Sequence, residues 1–207
     1  MKWSKYVLVL TIVTTFIATT KLGFSQEIQR LPQVSGIDIS RVEYVPAEKN
    51  KSPQLEQAII QHFGEEFAIA EFPTQYSYNL VDLNDDGYPE ALVYVLNSII
   101  CGSRGCIALI LQGSAQGYRQ SRYERITFGS LIVTPEKTNG WKDIISPYYH
   151  CSDNFTTCYI IQKFNGREYS SSQEISRRTI TGKVYLSSEK FHQLQSSQSQ
   201  RIQEKLS

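Results

Sequence analysis

Residues 75–112 read QYSYNLVDLNDDGYPEALVYVLNSIICGSRGCIALILQ, and the fold class is decided there. Tyr76 to Val81 is a short run of strand-forming residues that leads directly into DLNDDGYPE. Ala91 to Leu96 (ALVYVL) is apolar without a polar alternation, the pattern of a strand covered on both faces. Cys106 to Gln112 (CIALILQ) repeats that pattern, so the stretch predicts strand, acidic loop, buried strand, cysteine turn, buried strand.

Strand signals continue downstream. Tyr118 to Ile126 and Leu131 to Thr134 are plausible partners, and Asn139-Gly140 marks a turn before Trp141 to Ser146. Thr157 to Phe164 and Arg167 to Ser170 flank Asn165-Gly166, the dipeptide favoured in a type I′ hairpin turn. Thr179 to Leu186 predicts one more strand pair around Gly182. Upstream, Ser52-Pro53 is an N-cap followed by proline at the first helical position. Leu55, Ala58, Ile59 and Phe63 follow at helical spacing, and Gly64 stops the run. The expected fold is α+β, mostly β: an antiparallel sheet with one packed N-terminal helix and a strand–loop–strand calcium site.

The ends of the chain read differently. Lys2 and Lys5 precede the apolar run Val7–Ala18, and Gly23 and Ser25 place small residues at −3 and −1 of a cut after Ser25. Residues 1–25 therefore read as a signal peptide. The apolar run is shorter than the roughly 20 residues a membrane-spanning helix needs, so no stable anchor is expected after cleavage. Residues 26–50 are polar and punctuated by proline, a lead-in expected to lie over the surface. Residues 51–186 read as a single globular domain, and 187–207, rich in Ser and Gln, as a frayed or disordered tail. The full chain of 207 residues carries 21 Lys+Arg and 20 Asp+Glu. Loss of 1–25 removes Lys2, Lys5, Lys21 and no acid, leaving a formal −2. That balance gives no basic footprint for nucleic acid.

Four cysteines fit an oxidising compartment, periplasmic or secreted. They allow three connectivities. Local pairs, Cys101–Cys106 in CGSRGC and Cys151–Cys158 in CSDNFTTC, are preferred because each ring is short and carries turn residues. A zinc site fits the spacing of the first pair and not that of the second.

Asp82-Leu-Asn84-Asp-Asp86-Gly87-Tyr88-Pro89-Glu90 sets oxygen ligands at loop positions 1, 3, 5 and 9, with the Tyr88 carbonyl at position 7. Calcium takes six to eight such oxygens, and Gly87 supplies the bend at position 6. Asp85 points away. Position 12 is Val93, so the loop is not an EF-hand. Acids at 82, 85 and 86, with Glu90 close behind, repel one another without a cation. This favours calcium over an acidic turn that serves only local hydrogen bonds. The nine residues resemble the DxNxDGxxD/E loop of FG-GAP-type extracellular repeats. No repeat accompanies them, so the resemblance does not carry a propeller fold.

A wider resemblance spans about residues 76–170. Asp82, Asn84, Asp86, Gly87 and Glu90, then Cys101, Gly102, Gly105 and Cys106, then Gly140, Trp141 and Asp143 follow, in order, the pattern DLNxDGxxEALV, CGxxGC, GWxDL. The chain in this respect is similar to a family of exported bacterial proteins. That likeness implies an exported single domain and supplies no assigned activity; Cys151/Cys158 departs from the pattern.

Catalytic motifs are sparse. His62, His150 and His192 form no H-x-x-x-H pair, and Ser114 in GSAQG has the wrong spacing for a nucleophile elbow. Arg122, Arg125, Arg177 and Arg178 read as solvated charges. Trp141, Tyr148 and Tyr149 flank the second cysteine ring and form a candidate recognition patch, with strand-face packing the competing explanation. Asn154-Phe-Thr156 is a glycosylation sequon, meaningful only in a eukaryotic secretory route. The expectation is an exported non-enzymatic module that binds a protein or glycan of the envelope or exterior. A cell-wall or glycan hydrolase using an Asp/Glu pair is the alternative.

Overall fold

Ser52 starts the one long helix among the described residues by accepting the Leu55 N–H at 3.3 Å, and Pro53 occupies its first turn. Helix α1 (Pro53–Phe63) ends where Gly64, at φ 103°, donates its N–H to the Ile60 carbonyl at 2.8 Å. The computed structural model describes residues 30–69, 73–119, 121–127, 129–149, 151, 156–186 and 191–194. The expected signal peptide, His150 and most of the tail lie outside these residues.

In chain order β1 (Ile37–Tyr44) precedes α1, and α2 (Glu66–Ile69) follows it. Then come β2 (Gln75–Val81), β3 (Glu90–Leu96), β4 (Cys106–Leu111), β5 (Ser121–Thr127), β6 (Leu131–Thr138) and β7 (Trp141–Tyr149). β8 (Thr157–Phe164), β9 (Tyr169–Ile175), β10 (Arg178–Tyr185) and β11 (His192–Gln193) complete the set. They form a five-stranded sheet, β11-β2-β3-β4-β5, and a six-stranded sheet, β1-β10-β6-β7-β8-β9.

Strand β3 shows why the apolar run lacks alternation. Leu92 and Tyr94 point into the core between the sheets with Ile110, Leu131, Ile144 and Trp141. Ala91, Val93 and Val95 point the other way, onto Leu55, Ala58 and Ile59 of α1. Both faces are dry, so both parities are apolar. The outer face of the six-stranded sheet has its own cluster, Ile132, Ile145, Tyr159, Ile161 and Val184, closed by Leu31 and Ile37. The architecture is α+β and mostly β, with helix, sheet and sheet in successive layers.

Four details depart from expectation. The lead-in 26–50 supplies β1, which pairs in parallel with β10, so the sheet is mixed rather than wholly antiparallel. The tail contributes β11, paired with β2, and its neighbour Leu194 is buried. Thr179–Leu186 gives one strand bent at Gly182, not two. The type I′ geometry belongs to Asn139-Gly140, with φ 50° and 81°, joining Thr138 to Trp141. At Asn165 the side-chain oxygen instead accepts the N–H groups of Arg167 and Glu168, and a four-residue loop results.

Both disulfides are local: Cys101–Cys106 at the β3–β4 turn and Cys151–Cys158 at the β7–β8 connection. In the first ring Gly102 and Gly105 exchange both main-chain hydrogen bonds, with Gly105 at φ 101°. The structured chain therefore fits an oxidising, non-cytoplasmic compartment. Among the described residues no helix is long and apolar enough to cross a membrane. Thiol titration of the protein unfolded in guanidinium is expected to detect no thiol before reduction and all four cysteines after it. A thiol that reacts before reduction contradicts the pairing.

Candidate metal centre

Between β2 and β3 the chain must reverse within Asp82–Pro89, and side-chain oxygens make the turn. Asp86 N–H donates to Asp82 Oδ1 at 3.2 Å and to Asn84 Oδ1 at 3.0 Å. Gly87 N–H reaches Asp82 Oδ2 at 3.0 Å, and Tyr88 N–H reaches Asp86 Oδ1 at 2.8 Å. Asn84 also donates its amide to Asp86 Oδ2 at 2.9 Å. The side chains at loop positions 1, 3 and 5 thus face the loop's own main chain. Asp85 and Gly87 take positive φ, 58° and 82°, which permits the tight path.

Glu90 closes the loop as the first residue of β3. Its residue is fully buried; Oε2 accepts the Leu83 N–H at 2.8 Å, and Oε1 is buried with no hydrogen-bond partner among the described residues. Burial pushes its carboxyl up to about 7, and the charges of Asp86 and Asp82 push in the same direction. A buried acid beside two more acids, with one oxygen unsatisfied, carries an electrostatic cost that a proton or a bound cation would relieve. Among the described residues no three His, Cys, Asp or Glu side chains converge as a ready metal cluster, so the Asn84 amide and main-chain carbonyls must contribute to any coordination. The Tyr88 carbonyl lies against Gly113, where a Cβ would stand 2.7 Å from it. The Tyr88 ring is about half exposed.

The loop belongs to one sheet and is held by the other. Lys142 N–H donates to the Leu83 carbonyl at 2.9 Å, and its ammonium donates to the Asp82 carbonyl at 2.7 Å. The same ammonium lies 3.3 Å from Asp85 Oδ1, and Lys137 forms a second ion pair with Asp85 Oδ2. Lys137, then Lys142, hold the Asp85 carboxyl below the usual carboxylate range. Asp85 does point away, and its partners are these two lysines of the β6–β7 hairpin. No signal in the sequence pairs them across more than fifty residues.

The expected aromatic patch loses Trp141 to the core. Trp141 is buried in the inter-sheet core, its ring stacked on Phe164 with centroids 4.5 Å apart, while Tyr148 is only half-buried. Strand-face packing accounts for Trp141; the Tyr149 side chain is outside what the structure describes. Carboxylates outside the loop gather in a different place. An open cleft of about 540 Å³ between β5 and the start of β9 is lined by Glu124 and Glu168, with His62 at 3.1 Å from Glu124. Arg122 at its edge is tied by two donors to the Gln112 side chain.

No protein family, curated protein or solved structure matches the chain, so the site is read from its own residues.

Glu90→Gln separates proton from metal. Without cations a carboxyl whose folded value is raised to about 7 from 4.5 favours its protonated form. Its penalty is absent at low pH, grows as pH rises from about 4.5, and is complete above about 7, of order 3 kcal/mol. In EDTA the Gln variant should therefore be more stable than wild type at pH 8 and equal to it near pH 4.5, by urea unfolding. An equal difference at both pH values contradicts the buried-carboxylate account.

Proposed function

We propose that the protein is an exported, non-enzymatic binding domain, periplasmic or secreted, held in shape by one calcium ion in the Asp82–Glu90 loop and by two disulfides. The observation that carries this reading is the Glu90 carboxylate, buried with one oxygen unsatisfied and close enough to Asp86 and Asp82 to feel their charge, at the end of the loop that Asp82, Asn84 and Asp86 shape. Calcium suits these residues because all are hard oxygens and it accepts irregular coordination, whereas magnesium demands a stricter octahedron. Asp82, Asn84, Asp86 and Glu90 supply side-chain oxygens, and Tyr88 supplies its carbonyl. The likeness of residues 76–170 to exported bacterial proteins points the same way, as do the disulfides. The distinctive residues hold the fold: the acids shape the loop, the cysteines close turns, and Trp141 fills the core. What the domain recognises, on this reading, is a protein or glycan of the envelope or exterior.

A second reading, a cell-wall or glycan hydrolase, is favoured by one observation: Glu124 and Glu168 line the same cleft. Release of soluble fragments from cell-wall glycan, abolished in Glu124→Gln or Glu168→Gln, would establish it in place of the first.

The calcium reading is tested by Asp82→Ala and Asp86→Ala. With calcium at about a hundredfold above its dissociation constant, linkage stabilises the wild type by roughly 2.7 kcal/mol. Both variants give up the turn's hydrogen bonds under either condition and should lose about 2.7 kcal/mol more in calcium than in EDTA, measured as thermal midpoints. Equal losses under the two conditions contradict it.

A further inference from the structure

Strands β6 and β10 pair over only three residues, Leu131 to Val133 against Tyr185 to Lys183. Strand β10 keeps its pairing with β1 from Arg178 to Val184, while the β6–β7 register shifts between Val133 and Lys137. The two strands therefore fork at Gly182. That residue has φ 144°, and a Cβ there would stand 2.3 Å from the Val133 carbonyl, so the fork is built on a position only glycine fills comfortably. An ion pair between Arg178 and Glu136 at 2.8 Å spans the strands farther along.

The fork opens into a pocket of about 370 Å³, within the usual range for small ligands. Its floor is apolar: Val81, Val133, Pro135 and Tyr185. Its rim carries three cations, Arg41, Lys142 and Lys183, against the single acid Glu43. Lys142 is committed to the Asp82 carbonyl and Asp85. Arg41 and Lys183 are exposed and make no salt bridge to any described residue. Glu43 is the register partner of Lys183, and Arg41 also feels the charge of Asp38. At the rim Arg41 and Lys183 nonetheless outnumber Glu43, and this positive excess over an apolar floor complements one class of ligand, an apolar body with an anionic head.

We propose that this fork binds a small, monomeric amphipathic anion, its apolar body on Val133 and Tyr185 and its carboxylate, phosphate or sulfonate held by Arg41 and Lys183. The site adjoins the Asp82–Glu90 loop through Val81 and Lys142, while the two cations that would hold the anion, Arg41 and Lys183, lie on β1 and β10 outside that loop.

The probe is anilinonaphthalene sulfonate, titrated by fluorescence into the folded protein in calcium buffer. Saturable binding of one dye per chain is expected. Lys183→Glu and Arg41→Glu should each weaken it by about tenfold or more, the loss of one charge-assisted contact. Arg104→Glu, on the exposed cysteine turn, should leave it unchanged, and the uncharged N-phenyl-1-naphthylamine should bind at least about tenfold more weakly. Thermal midpoints confirm that the variants fold, and Lys183→Gln serves if the reversal does not. Absence of saturable binding, indifference to both charge reversals, or equal affinity for the uncharged dye overturns the proposal.

Discussion

Lys142 sits where the two sheets of this protein are held to each other at one end of the sandwich. Its main-chain N–H and its ammonium reach the consecutive carbonyls of Leu83 and Asp82, and the ammonium also pairs with Asp85. The reversing loop of the five-stranded sheet is thereby fastened to the hairpin of the six-stranded sheet. Leu83, fully buried between them, extends the inter-sheet core into the loop itself. The placement of the acidic ring, the packing of Trp141 at the adjacent turn, and the direction of β3 as it leaves Glu90 all depend on this contact.

The same contact sets the electrostatic problem. Two lysines neutralise Asp85 from outside the loop, and their charge does not answer the acids inside it. Glu90 is buried within reach of the charges of Asp86 and Asp82, and its cost is met only by a proton or by a cation. A divalent ion in the ring would satisfy the free Glu90 oxygen and remove the repulsion between the loop acids. It would also stiffen the segment that Lys142 grips. The disulfides act on different turns, and their short rings shape those turns more than they restrict the unfolded chain.

Local chemistry was legible in the sequence and long-range pairing was not. Ser52, Pro53 and Gly64 marked the helix because caps are decided by neighbours. The unbroken apolar run of β3 announced burial on both faces. The alternation of Asp82, Asn84 and Asp86 marked the loop between β2 and β3. By contrast, β1 pairs with a strand some 140 residues away, and a register break between Asp38 and Arg41 blurs its period. The two Asn-Gly pairs look alike, yet Asn165 uses its side chain to build a longer loop while Asn139 enters the left-handed region. In the sequence Trp141 stays open between recognition and strand-face packing, because nothing local says which face of β7 is inside. The fork at Gly182 is equally silent, since it arises from strands that separate rather than from a motif.

The most direct test is a calorimetric titration of the metal-stripped protein with calcium. The account predicts saturable uptake of one ion per chain, weaker uptake of magnesium, and none in Asp86→Ala. No saturable heat at millimolar calcium, or uptake that survives Asp86→Ala, would contradict the claim that this loop is a calcium site.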